Sequence, residues 1–272
     1  MSTDAGGLRI AEPDALVLLR EGTLELEGRL LDASNTTLRA EISLDGLTAH
    51  CVYKPVRGER PLWDFPTGTL AGREVSAYLV AQAGGWGLVP PTVLRDGPLG
   101  PGACQLWIDE PDEPHPLLGF VPFDAVPAGW RAVLDAEDTS GNPFVLAHAD
   151  APVLARMAVF DAVINNADRK GGHVLAGPGG AVYGVDHGVC FHVRNKLRTV
   201  LWGWIGEPLP DEARDMLHRV REALGGALGE ALAEHLTGAE VSSVGRRIDR
   251  LLAKGCFPEP SGDWPSVPWP PI

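Results

Sequence analysis

Asp168 and Asp186 are the residues whose settings argue most directly for chemistry. Asp168 stands in the polar run Asn165-Asn166-Ala167-Asp168-Arg169-Lys170-Gly171-Gly172-His173, just after an apolar helical pattern from Ala151 to Ile164. Asp186 follows the second of two short strand patterns, Val174–Ala176 and Val182–Val185, and opens the turn Asp186-His187-Gly188. His173 starts the first of those strands. Two carboxylates and one imidazole therefore fall at neighbouring strand ends, a set that can hold a divalent ion with a carboxylate base beside it. The competing reading is that both aspartates only cap turns.

Phosphoryl transfer needs a cation for the nucleotide phosphates, hard oxygen ligands for a metal, and a carboxylate for the attacking hydroxyl. Lys54 ends a strand pattern and can project toward phosphates, and Glu74, on the next helical pattern, can hold it in position. Each is ordinary alone: lysines are mostly exposed, and a glutamate in a first helical turn is favoured by the helix dipole.

Further along, His192, Arg194, Lys196 and Arg198 recur at every second residue. Extended, they form one basic stripe that either docks an anionic substrate or protects an edge strand. His173, His187, Cys190 and His192 invite a zinc reading. Their spacing matches no common zinc motif, and a strand would turn alternate side chains to opposite faces. Trp202-Gly203-Trp204 is read as core packing ahead of a substrate platform.

The elements that must position these residues follow from pattern. A helix is predicted at Pro13–Arg20. Alternating runs at Thr23–Leu31, Thr36–Leu44 and Leu47–Lys54, separated by Asp32–Asn35 and Asp45-Gly46, predict an antiparallel meander. Pro55–Thr67 is a loop. Leu70–Gln82 predicts a helix closed by Gly84-Gly85, and two strands are predicted at Thr92–Arg95 and Ala103–Ile108. The acidic, proline-rich stretch Asp109–Pro116 marks a lobe boundary. Asp211–Lys254 reads as two or three amphipathic helices, and the tail from Pro258 as irregular. The predicted class is α+β, with a β-rich N-lobe over 1–110, a mainly helical C-lobe over 111–258 and a Pro/Trp-rich tail over 259–272.

Composition bounds the partners. The chain has 272 residues, 44% hydrophobic and 22% charged, which suits a soluble globular protein. Its net charge of −13 argues against nucleic acid or an anionic membrane surface as a partner. No apolar run is long enough to span a bilayer, and Met1–Gly7 shows no signal-peptide pattern. The four cysteines are scattered without a CxxC pair, so neither a zinc knuckle nor a disulfide framework is expected. These features together predict a cytoplasmic enzyme.

The residues quoted above resemble the catalytic domain of the phosphatidylinositol 3- and 4-kinases, most closely the type II 4-kinases. HipA-type kinases share the layout, and the whole chain looks like an actinobacterial branch of phosphatidylinositol 3/4-kinase-like proteins. The resemblance covers most of Gly28 to Phe191 and is weakest between Pro111 and Asp150. Tyr53-Lys54-Pro55 is similar to the strand bearing the ATP-binding lysine. Arg73-Glu74-Val75 through Val89-Pro90-Pro91-Thr92-Val93 is similar to the paired-glutamate helix and the strand after it. Gln105-Leu106-Trp107-Ile108 resembles the hinge, where backbone near Ile108 would hold adenine. Asn166-Ala167-Asp168-Arg169, with Leu175 closing the strand, resembles the catalytic loop. Val185-Asp186-His187-Gly188 resembles the metal-binding Asp-Xaa-Gly turn.

The resemblance implies a two-lobed, protein-kinase-like and PI-kinase-like fold, ATP as phosphoryl donor, and Mg2+ or Mn2+ as metal. Asp168 would be the catalytic aspartate, Asp186 a metal ligand, and Lys54, Glu74, Gln105 and Ile108 the nucleotide site. Three departures shape the expectation. His173 stands where the family has a metal-binding asparagine; magnesium prefers oxygen, and imidazole suits softer ions such as manganese. Arg57–Thr69 holds no cysteine-rich membrane anchor. No glycine-rich loop is present, so Ser34-Asn35-Thr36 would bind phosphate through backbone N–H groups and hydroxyls.

The expected activity is ATP-dependent phosphorylation of a hydroxyl on a soluble acceptor, either an anionic or inositol-like small molecule or a protein. Arg169, Lys170, Arg194, Lys196 and Arg198 would meet that acceptor. Lipid is disfavoured by the missing anchor and the net charge. The alternatives are a nucleotide-binding pseudokinase acting as a scaffold, and a kinase-fold enzyme that transfers AMP.

Overall fold

A computed structural model describes residues 10–30, 35–111, 116–137 and 139–272. The first half opens with helix α1 (Glu12–Glu21) and strands β1 (Thr23–Arg29), β2 (Leu38–Leu44) and β3 (Leu47–Pro55). Helix α2 (Leu70–Gly84) follows, then β4 (Thr92–Gly97) and β5 (Gly100–Leu106). The five strands form one antiparallel sheet in the order β1-β2-β3-β5-β4.

Alternation explains which face each strand buries. Leu38, Ala40 and Ile42 of β2, with Cys51 and Tyr53 of β3, face inward. The same period turns Val52 and Lys54 to the opposite face, which lines a cleft. Ala15, Leu18 and Leu19 of α1 close one core against Ala40, Ile42, Cys51, Val93, Cys104 and Leu106.

Helix α2 belongs to a second, larger core. Its Ala77, Tyr78, Val80 and Ala81 pack with residues of α3 (Pro152–Ile164), α4 (Asp211–Ala223), α5 (Ala227–Ala233) and α6 (Gly238–Lys254). The helix carrying Glu74 is thus anchored to the second half of the chain. Beside it Arg73, almost fully buried, donates to the Cys190 carbonyl at 2.7 Å and to Glu240 of α6 at 2.6 Å.

The α+β, two-lobed arrangement agrees with the sequence, with one addition. The second half also holds a three-stranded antiparallel sheet of β6 (Leu118–Pro122), β7 (Trp130–Glu137) and β8 (Pro143–Ala149), with β8 central. Sequence alone misses it because β6 and β7 bury little, so no period-two pattern marks them. Only β8 has a buried run, Val145–His148.

Two further turns set up the site. Asn165 caps α3 in the left-handed region (φ 54°), and its amide donates to the carbonyls of His192 and Arg194. The chain then enters the polar run and the hairpin of β9 (Val174–Ala176) and β10 (Val182–Gly184). The tail has no helix or strand, yet it is tied down. The Ser266 carbonyl accepts from Trp202 Nε1 and Thr199 N–H, and the Pro271 carbonyl from Gly171 N–H. Among the described residues no helix is long and apolar enough to cross a membrane.

Candidate active site

A cleft of about 620 Å3 opens between the five-stranded sheet and the β9–β10 hairpin. Leu30, Val52, Leu106, Ile108, Leu175 and Val185 supply apolar walls. Lys54, Lys170, His173 and Asp186 gather polar groups in it. That size and mixture suit a small-molecule site.

Lys54 is the centre of the polar end. Its Nζ lies 2.5 Å from Glu74 Oε1 and 2.8 Å from Asp186 Oδ1. Burial alone would lower the lysine, but Asp186 and Glu74 outweigh it and hold the ammonium above its ordinary value. Asp186 is held well below the usual carboxylate range, chiefly by Lys54 against a desolvation cost. Glu74 is raised: burial dominates, and Lys54 only partly offsets it. Asp186 itself adopts a left-handed backbone (φ 60°), which aspartate tolerates better than most residues.

Behind this triad runs a buried polar chain. Glu74 Oε2 accepts the His187 N–H at 2.8 Å. His187 Nε2 accepts from Arg169 Nη2 at 2.8 Å. Arg169 also grips Asp161 from both Nε and Nη2 and donates through Nη1 to the carbonyls of His173 and Val185. Asp161 in turn accepts from the Asn166 amide at 3.0 Å, and Asn166 Oδ1 accepts the Asp168 N–H at 2.9 Å. The backbone of the Asn166–Arg169 loop, the Asp186-His187-Gly188 turn and α2 are thereby fixed to one another.

His173 links Asp168 to Asp186. Its Nδ1–H donates to the Asp168 carbonyl at 2.9 Å, and its Nε2 lies 3.3 Å from Asp186 Oδ2. Burial lowers its pKa to about 4, with Arg169, Lys54 and Lys170 adding to the effect against Asp186. Neutral, with Nδ1 protonated, it turns an Nε2 lone pair toward a carboxylate oxygen. Two facing acceptors fit a bound cation between them. Asp168 is raised by burial, opposed by Lys170 at 3.5 Å. Asp168 does not join His173 and Asp186 in a tight ligand cluster. Among the described residues the tight three-residue group is Glu27, Glu41 and His50, on the exposed sheet strands.

Several expected site residues take other positions. Arg169 is fully buried with all its N–H groups spent inside the protein, so it cannot meet an acceptor. The segment from His192 to Arg198 is not a strand, so no basic stripe forms. Lys196 is buried between the rings of Trp63 and Trp264 and bonded to Asp64, sealed from any substrate. Arg194 is exposed. Arg198 keeps the expected neighbourhood: it lowers the Asp168 carboxyl, and its Nε is buried without a partner. Lys170 lines the cleft beside Asp168.

Gln105 is buried and donates to Thr92 Oγ1, and both Gln105 and Ile108 line the cleft. Asn35 lies beside Lys54 and Asp186 in an adjoining recess, its Oδ1 occupied by the Arg60 N–H. Ser34 lies outside the described residues. The zinc alternative does not assemble: His187 is engaged by Arg169, and no cluster of His173, Cys190 and His192 forms among the described residues. Trp202 and Trp204 are core residues.

Two features of the site escape sequence reading. Pro270 and Ile272 of the tail line the cleft. A Cβ at Gly171 would lie 3.2 Å from Ile272 and 2.6 Å from Leu118, so a glycine there lets the tail come close. A proline-rich segment without periodicity announces no such contact. Arg73 likewise gives no signal beyond its position next to Glu74.

No family model matches the chain. In structure it is similar to a Helicobacter pylori proinflammatory kinase, CtkA, at a TM-score of 0.44 and 10% identity, over 88% of this chain and 94% of that one. A likeness that loose carries no functional argument. In sequence it is 52% identical over 265 residues to protein Rv2133c of Mycobacterium tuberculosis, covering 94% of this chain and 95% of that protein. At that identity and coverage, the chain belongs to the same family as Rv2133c.

Proposed function

We propose that the protein is an ATP-dependent phosphotransferase acting on a hydroxyl of a soluble acceptor. The observation that carries the reading is Lys54, held between Glu74 and Asp186 at the polar end of an otherwise apolar cleft. A lysine kept charged by two carboxylates is poised for the α/β-phosphates of a nucleotide. The apolar walls and the Gln105–Ile108 segment suit a purine ring.

Asp168 orients the attacking hydroxyl and takes its proton; burial raises its pKa, which suits a proton acceptor. The acceptor oxygen bonds to the γ-phosphorus, and the bond from that phosphorus to the ADP oxygen breaks. Lys170 and Arg198, both near Asp168, steady the negative charge of the transferring group. Asp186 and His173 are the residues that would hold Mg2+ or Mn2+, with the imidazole favouring manganese. The ion would supply charge neutralisation on the nucleotide phosphates. The test is turnover of radiolabelled ATP with polyol and protein acceptors, against Asp168→Ala. Activity that survives Asp168→Ala removes the role given to that residue.

A second reading, a nucleotide-binding pseudokinase, is favoured by one observation: at the polar end of the cleft His173 and Asp186 converge without a third ligand among the described residues, and one of the two is an imidazole. Metal-dependent nucleotide binding in a thermal-shift assay, without turnover on any acceptor, would select it.

A further inference from the structure

Three arginines on the last turns of α6 stand apart from the cleft. Arg246, Arg247 and Arg250 line one cavity of about 120 Å3, with Asn195, Ser243 and Glu259 on its walls. It shares no lining residue with the cleft. Such a volume holds several waters or one tetrahedral oxyanion.

None of the three forms an ion pair among the described residues. The nearby acids are committed elsewhere: Asp249 to Arg221 at 2.7 Å, and Glu240 to Arg73 at 2.6 Å. Glu259 is exposed and pairs with none of them. Among the described residues Arg246 donates to Ser243 Oγ, at 2.6 Å, and to no other group. Arg247 donates from Nε to the Val163 carbonyl and from Nη1 to the His192 carbonyl, while its Nη2 is buried with no acceptor. Burial, reinforced by Arg246 and Arg250, lowers the pKa of Arg247 to about 10. A chain of net charge −13 has carboxylates in excess, yet among the described residues none forms an ion pair with this group.

The plain account is that cations suit a helix C-terminus. That covers Arg250 and Lys254 on the outside of the last turn. It does not cover Arg247, further back on the helix, whose charge Glu240 supports only at a distance while burial, Arg246 and Arg250 oppose it.

We propose that this cavity is a second binding site, for a phosphate group, either free phosphate or the end of a phosphate monoester. Arginine forks match tetrahedral oxyanions through paired, charge-assisted hydrogen bonds. Arg246 and Arg250, which have no ion pair among the described residues, would close over the anion from the rim, beside Arg247.

The test is calorimetric titration of the full chain with inorganic phosphate, and separately with glycerol 3-phosphate, without nucleotide. The proteins are wild type, Lys54→Ala and the double variant Arg246→Gln/Arg250→Gln. The expected result is saturable binding to wild type and Lys54→Ala, and binding about tenfold weaker or worse to the double variant. Binding of both ligands identifies a monoester site, and binding of inorganic phosphate alone identifies a site for the free ion. If the double variant folds poorly, the Arg247 Nε–H resonance of wild type is followed instead, and it must shift on adding phosphate. Binding lost in Lys54→Ala but kept in the double variant overturns the proposal. So does the absence of saturable binding to wild type, or an Arg247 resonance that does not move. None of these outcomes depends on phosphoryl transfer, so this site and the cleft stand or fall separately.

Discussion

Lys54 and Lys196 are two lysines met in one sequence with similar claims, and the structure gives them opposite surroundings. Lys54 faces a cleft and is held by two carboxylates, Glu74 and Asp186. Lys196 is walled in by two indoles, Trp63 and Trp264, and closed off by Asp64. The first is charge arranged at an open space of about 620 Å3. The second is charge used as a staple between the loop before α2, the segment after Cys190 and the tail. A lysine's type does not separate these roles; what it is held by, and whether a ligand can reach it, does.

Four perturbations separate these two surroundings. Arg169 is the buried foundation of the cleft side. Arg169→Met strands Asp161 inside the protein and is expected to cost about 3–5 kcal/mol, read as a fall in denaturation midpoint. A cost below about 1 kcal/mol would show that the buried chain from Asp161 to Glu74 is not what holds the cleft.

Lys54→Met is expected to lower turnover about 10²–10³-fold. It also leaves Glu74 buried without its cation, so stability falls as well. Adding Glu74→Gln should recover much of the stability and none of the turnover. Recovery of both would mean that Lys54 acts only as a structural partner.

The third point is pH. His173 has a folded pKa of about 4, below its ordinary value of about 6.5. The unfolded chain therefore binds more protons between those values, and stability must fall as pH drops through that window. His187, buried and held well below its ordinary value by burial and then by Arg169, works in the same direction. The share of His173 is about 3 kcal/mol at most. A His173→Gln variant should show a shallower fall in melting temperature between pH 6.5 and about 4. A slope equal to wild type would remove His173 from this balance.

Lys196→Met should cost about 1–2 kcal/mol of stability through lost cation–π contacts. Turnover and acceptor KM should barely change. A KM for the acceptor raised about tenfold, near 1.4 kcal/mol of lost binding, would return Lys196 to the substrate site it was first given.

Much of this is legible in the chain itself, for local reasons. The meander follows from period-two alternation and the Asp45-Gly46 turn, and Lys54 lands on the cleft face because Cys51 and Tyr53 occupy the other. Asp168, His173 and Asp186 stand out because a polar run and two short strands frame them; His173 and Asp186 line the cleft, while Asp168 is tied to His173 through its backbone carbonyl and is not among the lining residues. Arg169, three residues after the buried Asn166 and next to Asp168, carries no sign that it will be swallowed whole. Its partner Asp161 sits on α3, a helix whose pattern is almost entirely apolar. The β6–β8 sheet is invisible for the opposite reason: its outer strands are too exposed to leave a pattern.

Periods and turn chemistry along the chain suffice for the α+β class, for the order of elements outside the β6–β8 sheet, and for which charged side chains stand at strand ends. Which of those charges stay open to a ligand follows from how the elements dock. Lys54 and Lys196 each pair with a carboxylate far away in sequence, Asp186 and Asp64. The tail reaches the cleft wall through Pro270 and Ile272. Contacts at such separations are set by how the cores dock, and nothing in local spacing encodes them.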